Sequence, residues 1–548
     1  MSLLDILARR MLKLPKTALL PVSVLRDIKV RMPDGAELLT DHYFPKDMDK
    51  PPVVLVRSPY GKSGFMSSTM ARPFAERGFQ VILQCCRGTG GSTGIFDPHH
   101  DERADGLATL DWIKAQAWYG DAVVTYGLSY LGYTQWAVAR DAGPEVKAMA
   151  MQVTLSSFAR MTYAGDSLML ENALSWTKMV TGMKRPWFML GMLINMLLRI
   201  DPIRKAQWNL LPLDTLDEKV VGERIPFWQD WMRYSSAADP WWKPMDFGVS
   251  LAEVSKPITM IAGWYDIFAP WQLADFQALQ EAGRSVRITV GPWRHTDRGI
   301  GREGVLDALD WFHTHLSGNP SKSHPKPVRV YLIGADEWLF FDAWPPREAK
   351  SLRVFLQPAF GLADRPAPDS SADIYRYDPN DPTPSVGGPA LAAKPFAVDN
   401  RALEARSDVL SYTGEPMPVD VDVVGPISAE LYVSSSAPSA DFFVRLCDVD
   451  PAGVSRNVCD GLQRVRVIPG EPPQRVLIQL WPTAYRFRRE HRMRVQISSG
   501  AFPRWARNLG GGEALGSASA GHVAQQSIYH DAAHPSSILL PTLNSRAI

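Results

Sequence analysis

Cysteine is scarce: 548 residues contain four, Cys85, Cys86, Cys447 and Cys459, with no C-x-x-C pair. That excludes a disulfide-stapled scaffold and a cysteine-based zinc module. An excess of either charge is also missing, since 59 Lys and Arg face 58 Asp and Glu for a net charge of +1. Without a basic surplus there is no electrostatic footprint for nucleic acid, and a small neutral-to-apolar molecule is the better-matched partner. Long apolar runs are absent too. The longest, residues 187–198, includes Asn195 and is too short to span a bilayer. What remains is a globular composition, 45% hydrophobic and 21% charged, in a chain long enough for two or three domains.

The first 21 residues contain Arg9-Arg10 followed by Met11-Leu12-Lys13, a faint twin-arginine pattern. The segment after it includes Pro21, has no small-residue cleavage site and runs directly into Arg26-Asp27 and a strand pattern. The spacing of Leu3, Leu4, Leu7, Met11 and Leu14 predicts an amphipathic helix lying on the body. A cytoplasmic location is the expectation, with export as the alternative, and a homodimer is one candidate assembly.

From residue 22 to about 150, strand patterns (Val53–Val56, Val81–Leu83, Ala122–Tyr126) alternate with helical ones (Met70–Arg77, Arg103–Gln116, and a helix after Ser129). Such alternation predicts a mostly parallel sheet covered by helices on both faces. The rhythm resumes at Ile258–Ala262, Trp271–Gly283 and Arg287–Val290. Between the two halves, residues 155–248 carry Leu, Met and Trp at helical spacing, which predicts an inserted helical cap. Its Trp176, Trp187, Trp228 and Trp231 are expected mainly in the core, with pocket lining as the alternative. After Pro325, short alternating runs such as VRVYLI, AELYVSS and RVLIQLW predict an all-β sandwich.

Two serines compete as nucleophile. Gly90, Ser92 and Gly94 spell G-x-S-x-G, whereas Gly127, Ser129 and Gly132 spell the looser GLSYLG. Context favours Ser129. It follows a β-branched run and opens a helical pattern that stops at Gly143-Pro144, as a nucleophile elbow requires, whereas Ser92 leads into TGIFDPHHD with no helical period. A serine needs an imidazole base oriented by a carboxylate, in the chain order Ser, Asp or Glu, His of the α/β-hydrolase arrangement. Asp266, just past ITMIAGWY, and His295, just past RITVGPWR, supply that order from strand ends. The oxyanion donors are expected to be the backbone N–H of Tyr130 and the hydroxyl of Tyr60, in the loop RSPYGKSG. His99, His100 and Asp101 are the one metal candidate, but no second ligand set stands at metal-site spacing, so neither metal nor cofactor is expected.

Five ordered motifs, SPYGK (58–62), RGTGGSTGIF (87–96), YGLSYLGYTQW (126–136), GWYDIF (263–268) and GPWRH (291–295), together with WPP (344–346) and DG (460–461), make the chain resemble the cocaine esterase and Xaa-Pro dipeptidyl-peptidase family of serine hydrolases. The resemblance implies an α/β-hydrolase domain (22–154 and 249–322), a helical cap (155–248) and a C-terminal β jelly-roll (323–548). It implies a carboxylic ester or activated amide as substrate, cleaved through an acyl-enzyme on Ser129, with a dipeptidyl-peptidase as the alternative. A non-catalytic carbohydrate-binding protein is a third reading, which predicts a broken triad. Two positions depart from the family. Cys85 stands where an Asp usually precedes the R-G loop, so any ion pair made by that Asp is absent and the role of Arg87 is open. Phe268 and Ala269 stand where relatives acting on α-amino acid esters hold an ammonium with acidic residues.

Overall fold

Ten strands form the first sheet: β1 (Val22–Arg31), β2 (Glu37–Pro45), β3 (Val53–Ser58), β4 (Gln80–Cys85), β5 (Val123–Leu128), β6 (Val146–Gln152), β7 (Ile258–Gly263), β8 (Val286–Gly291), β9 (Val328–Leu332) and β10 (Glu337–Phe341). The computed structural model describes residues 3–15, 19–185, 188, 191, 203–319, 324–391 and 394–543. The expected apolar stretch 187–198, with Trp187, lies outside the described residues apart from 188 and 191.

The strand order is β1-β2-β4-β3-β5-β6-β7-β8-β9-β10, with parallel pairing from β4 through to β9 and antiparallel pairs at both ends. The central strands β3, β4, β7 and β8 are buried along their whole length, which is why they read as continuous apolar runs. Alternate residues serve opposite faces. Val53 and Leu55 enter one core with Ile258 and Ile288, while Val54 and Val56 enter another with Tyr126 and Phe312. The chain steps outward from β3 to β4 and then back past β3 to β5. This reversal opens a crevice at the carboxyl ends of β3 and β5, where open α/β sheets take their ligands.

Two expectations need correction. The run VRVYL, read with the later β-rich region, is β9: it pairs in parallel with β8 and antiparallel with β10, so the first sheet extends to Phe341. Its alternation arises near a sheet edge, where every second residue stays partly exposed, and such a pattern is the same in a sandwich. The second correction concerns the helix Leu3–Leu12. Among its described side chains the buried ones are Asp5, Ala8 and Leu12, while Leu7 is half exposed. Polar anchoring sets the rotation: Asp5 accepts from Ser68 Oγ at 2.7 Å and pairs with Arg72 Nε at 3.0 Å.

Between β6 and β7 run short helices, Phe158–Thr162, Leu170–Gly182, Lys205–Trp208 and Pro226–Arg233, followed by 3₁₀ turns. They bury their own cluster around Leu174, Trp228, Trp231 and Trp242. From Lys350 onward, eleven mostly antiparallel strands make a β jelly-roll. Its core includes Phe442, Val444, Ile478 and Ile497, and extends to Ile267 and Phe268 in the loop after β7. No helix among the described residues is long and apolar enough to cross a membrane.

Candidate active site

Ser129 sits between β5 and the helix Tyr130–Ala139 with φ 58° and ψ −127°, a conformation that costs a non-glycine residue roughly 1–3 kcal/mol. Its surroundings hold it there. Its N–H donates to Gln152 O at 2.9 Å, and its carbonyl accepts Thr154 Oγ1 at 2.8 Å. The two flanking glycines are required by space. A Cβ on Gly132 would lie 2.5 Å from Thr154 Cγ2, and one on Gly127 would lie 2.6 Å from both Cβ and O of Leu131. The strained turn therefore depends on close approach of the helix to the loop after β6.

Asp266 and His295 follow β7 and β8 at the same end of the sheet. His295 Nδ1–H donates to Asp266 Oδ1 at 2.7 Å, and Asp266 is completely buried. The second carboxylate oxygen accepts the Phe268 N–H at 3.2 Å, so the carboxylate is fixed from both sides. A carboxylate on Nδ1 assigns the proton to that nitrogen and leaves Nε2 as the basic one. The Phe268 ring meets His295 edge-on, with centroids 5.3 Å apart.

Tyr60 follows β3, the immediate neighbour of β5. Its hydroxyl accepts Trp176 Nε1–H at 3.0 Å, and the Ser129 side chain is near enough to act on its acidity. Burial pushes the phenol up to about 12, against the opposing effect of Trp176 and Ser129. It is therefore a neutral donor at ordinary pH. Tyr130 is the first residue of its helix, so its N–H has no intrahelical acceptor. The Tyr130 side chain is tied below, its hydroxyl donating to Glu102 Oε1 at 3.0 Å and accepting the His99 N–H at 2.9 Å.

Around these groups stand aromatic rings. Trp176 stacks on Tyr130 at 6.0 Å, and Phe158 meets Phe268 edge-on at 5.7 Å. Of the cap tryptophans, Trp228 and Trp231 are core, while Trp176 is half-buried and reaches Tyr60. Helical spacing alone could not separate Trp176 from the others; the Tyr60 contact spans 116 positions. Glu102 and Phe158 belong to no local motif, and only the fold brings them to the site.

The competing residues have structural partners. Ser92 Oγ donates to Cys85 O at 3.2 Å and accepts Leu39 N–H at 2.9 Å, pinning the glycine-rich loop to β2. His99 packs flat against Phe158, centroids 4.3 Å apart, and burial holds it neutral, well below the ordinary histidine pKa. Among the described residues, no three His, Cys, Asp or Glu side chains converge as metal ligands would. Arg87, lacking an Asp at position 85, pairs instead with Asp105 at 2.6 Å and Asp34 at 2.5 Å. Cys85 fills the space beneath Gly90, where a Cβ would meet its Sγ at 2.3 Å.

Residues 34–297 match the family model of the X-Pro dipeptidyl-peptidase (S15 family), and residues 321–539 match the X-Pro dipeptidyl-peptidase C-terminal non-catalytic domain. The cocaine esterase of Rhodococcus sp. (strain MB1 Bresler) is 32% identical, the match covering 95% of this chain and 99% of that one. Among solved structures, an aminopeptidase from a marine sediment Thaumarchaeota archaeon superposes with a TM-score of 0.81 at 22% identity, covering 97% and 98% of the two chains. An α-amino acid ester hydrolase superposes with a TM-score of 0.75 at 21% identity, again covering 97% and 98%. The chain belongs to the cocaine esterase and X-Pro dipeptidyl-peptidase family of serine hydrolases, and it is an enzyme of that class.

Proposed function

We propose that the enzyme is a carboxylesterase in which Ser129, Asp266 and His295 form the catalytic triad, with the Tyr60 hydroxyl and the Tyr130 N–H as oxyanion donors. The observation that carries this reading is the strained Ser129 turn at the sheet end that also bears Tyr60 and the His295–Asp266 pair. His295 Nε2 takes the Ser129 proton as the hydroxyl attacks the ester carbonyl. Asp266 stabilises the imidazolium, and Tyr60 and Tyr130 receive the charge that develops on oxygen. The imidazolium then protonates the leaving alcohol, and a water molecule activated by the same imidazole releases the acid from Ser129.

The apolar surroundings support an uncharged substrate with an apolar or aryl acyl group. Phe268 and Ala269 are both buried, and the Phe268 ring stands against His295, so these positions offer a free amine no counter-charge. This favours an ester over an N-terminal dipeptide. The test is Ser129→Ala, expected to keep the wild-type circular dichroism and lose the acylation burst with p-nitrophenyl esters; full retained turnover would refute the assignment. A fluorophosphonate that labels Ser92 would move the nucleophile. Faster turnover of Gly-Pro-p-nitroanilide than of aryl and alkyl p-nitrophenyl esters would establish the peptidase reading instead.

A further inference from the structure

A cavity apart from the Ser129 crevice opens elsewhere in the molecule. About 660 Å³ in volume, it lies between the cap and the jelly-roll, and none of Tyr60, Ser129, Trp176 or His295 lines it. A pocket of this size matches the range that encloses a small-molecule ligand. Its walls are tied together across long sequence separations. Ala506 N–H donates to Leu168 O at 2.8 Å, Asp214 N–H to Gly516 O at 3.1 Å, and Asn508 Nδ2 to Asp441 Oδ1 at 2.8 Å.

One side is apolar, with Trp208, Leu211, Leu213 and Leu515. The other presents arginines in unequal states. Arg464 is neutralised, its Nε and Nη2 gripping the two oxygens of Asp441 at 2.7 and 2.9 Å. Arg507 and Arg466 pair with no carboxylate among the described residues. Arg507 lies over the Phe502 ring and spends its donors on neutral groups, Asn209 O at 2.7 Å and Pro379 O at 3.3 Å. Burial accordingly lowers its pKa with no carboxylate to oppose it. The acidic residues of the lining do not relieve it: Asp166 is engaged by Gln463 Nε2 at 2.7 Å, and Glu513 is exposed. A partly buried guanidinium facing an apolar wall without a counter-ion is a site for an anionic headgroup on an apolar body.

We infer that this cavity is a second binding site, separate from the catalytic crevice, for an amphipathic monocarboxylate whose carboxylate pairs with Arg507 and Arg466 and whose apolar body lies along Trp208 and Leu211. Decanoate is a suitable probe, and 1-decanol its uncharged counterpart. Calorimetry should give one saturable decanoate site and binding of decanol at least about tenfold weaker, the weight of a hydrogen bond to a charged group. Arg507→Met, which keeps the apolar stem over Phe502, and the exposed substitution Arg466→Glu, which leaves the fold intact, should each weaken decanoate by a similar factor. A diazirine-bearing fatty acid should label residues 208–213 or 502–515, read by peptide mass spectrometry. Labelling confined to peptides containing Tyr60, Ser129 or Trp176, equal affinity for decanol, or indifference to both arginine substitutions would overturn the assignment. None of these readouts depends on which serine is the nucleophile.

Discussion

Replacing Trp176 by Phe removes one N–H, and the structure specifies where the loss is felt. Trp176 Nε1–H is bonded at 3.0 Å to the Tyr60 hydroxyl oxygen, whose proton goes to the developing oxyanion in the proposed mechanism. Donation to that oxygen polarises the O–H and favours partial negative charge on it. Loss of a single neutral hydrogen bond is worth about 1 kcal/mol, so Trp176→Phe should lower the acylation rate roughly fivefold. Tyr60→Phe removes the oxyanion donor itself, about 3 kcal/mol, and should lower kcat on the order of 10²-fold or more. The two effects share one route, so they should not add. In the Tyr60→Phe background, Trp176→Phe should change the rate by less than about twofold, a coupling near 1 kcal/mol. Stopped-flow acylation with a p-nitrophenyl ester measures all four corners of the cycle. If Trp176→Phe costs the same factor with and without the Tyr60 hydroxyl, Trp176 acts only as a pocket wall. If Tyr60→Phe keeps kcat within twofold, Tyr60 is not an oxyanion donor.

Ser92→Ala should leave kcat unchanged while destabilising the fold by about 1–3 kcal/mol, because the Leu39 N–H loses its acceptor; denaturant titration and steady-state kinetics report the two separately. Gly132→Ala should cost about 1–3 kcal/mol by overpacking against Thr154 and displace the Thr154 bond to the Ser129 carbonyl, visible as a lower Tm and a reduced acylation rate. Asp275 is buried on the helix Ala269–Glu281, accepting both the N–H and the hydroxyl of Ser156 at 2.7 Å, and burial raises its carboxyl to about 7. Its folded pKa lies above its unfolded one, so the fold holds the proton more tightly than the unfolded chain does. Its contribution to stability is therefore fully present below about pH 4, declines as pH rises toward 7, and is level above that. Asp275→Asn should remove this slope, on the order of a few kcal/mol across the window, in parallel urea titrations at pH 4.5 and 7.5. An unchanged slope would refute the linkage.

Much of the catalytic half is legible without coordinates, because its signals are local. A fully buried parallel strand must be a continuous apolar run, and the helix after the nucleophile must begin where the run ends. The stretch VVTYGLSYLG therefore announces β5, the turn and the helix together. Strand-end position and chain order single out Asp266 and His295, which the structure joins at 2.7 Å. The strand β6 carries no local signal, since VKAMAMQ has neither β-branched residues in number nor alternation, and pairing with β5 and β7 is what makes it a strand.

By itself, then, the sequence determined the alternating architecture, the β-rich C-terminal half and the candidate triad, all of which follow from periods of two and 3.6 residues and from motifs within a few positions. Only the tertiary structure decided that VRVYL belongs to the first sheet, that Leu7 faces outward, that Trp176 rather than Trp228 reaches Tyr60, and that Arg507 meets no carboxylate among the described residues. Each of these depends on which distant segment packs against a residue. A local period specifies that a face is buried, and only long-range packing specifies against what.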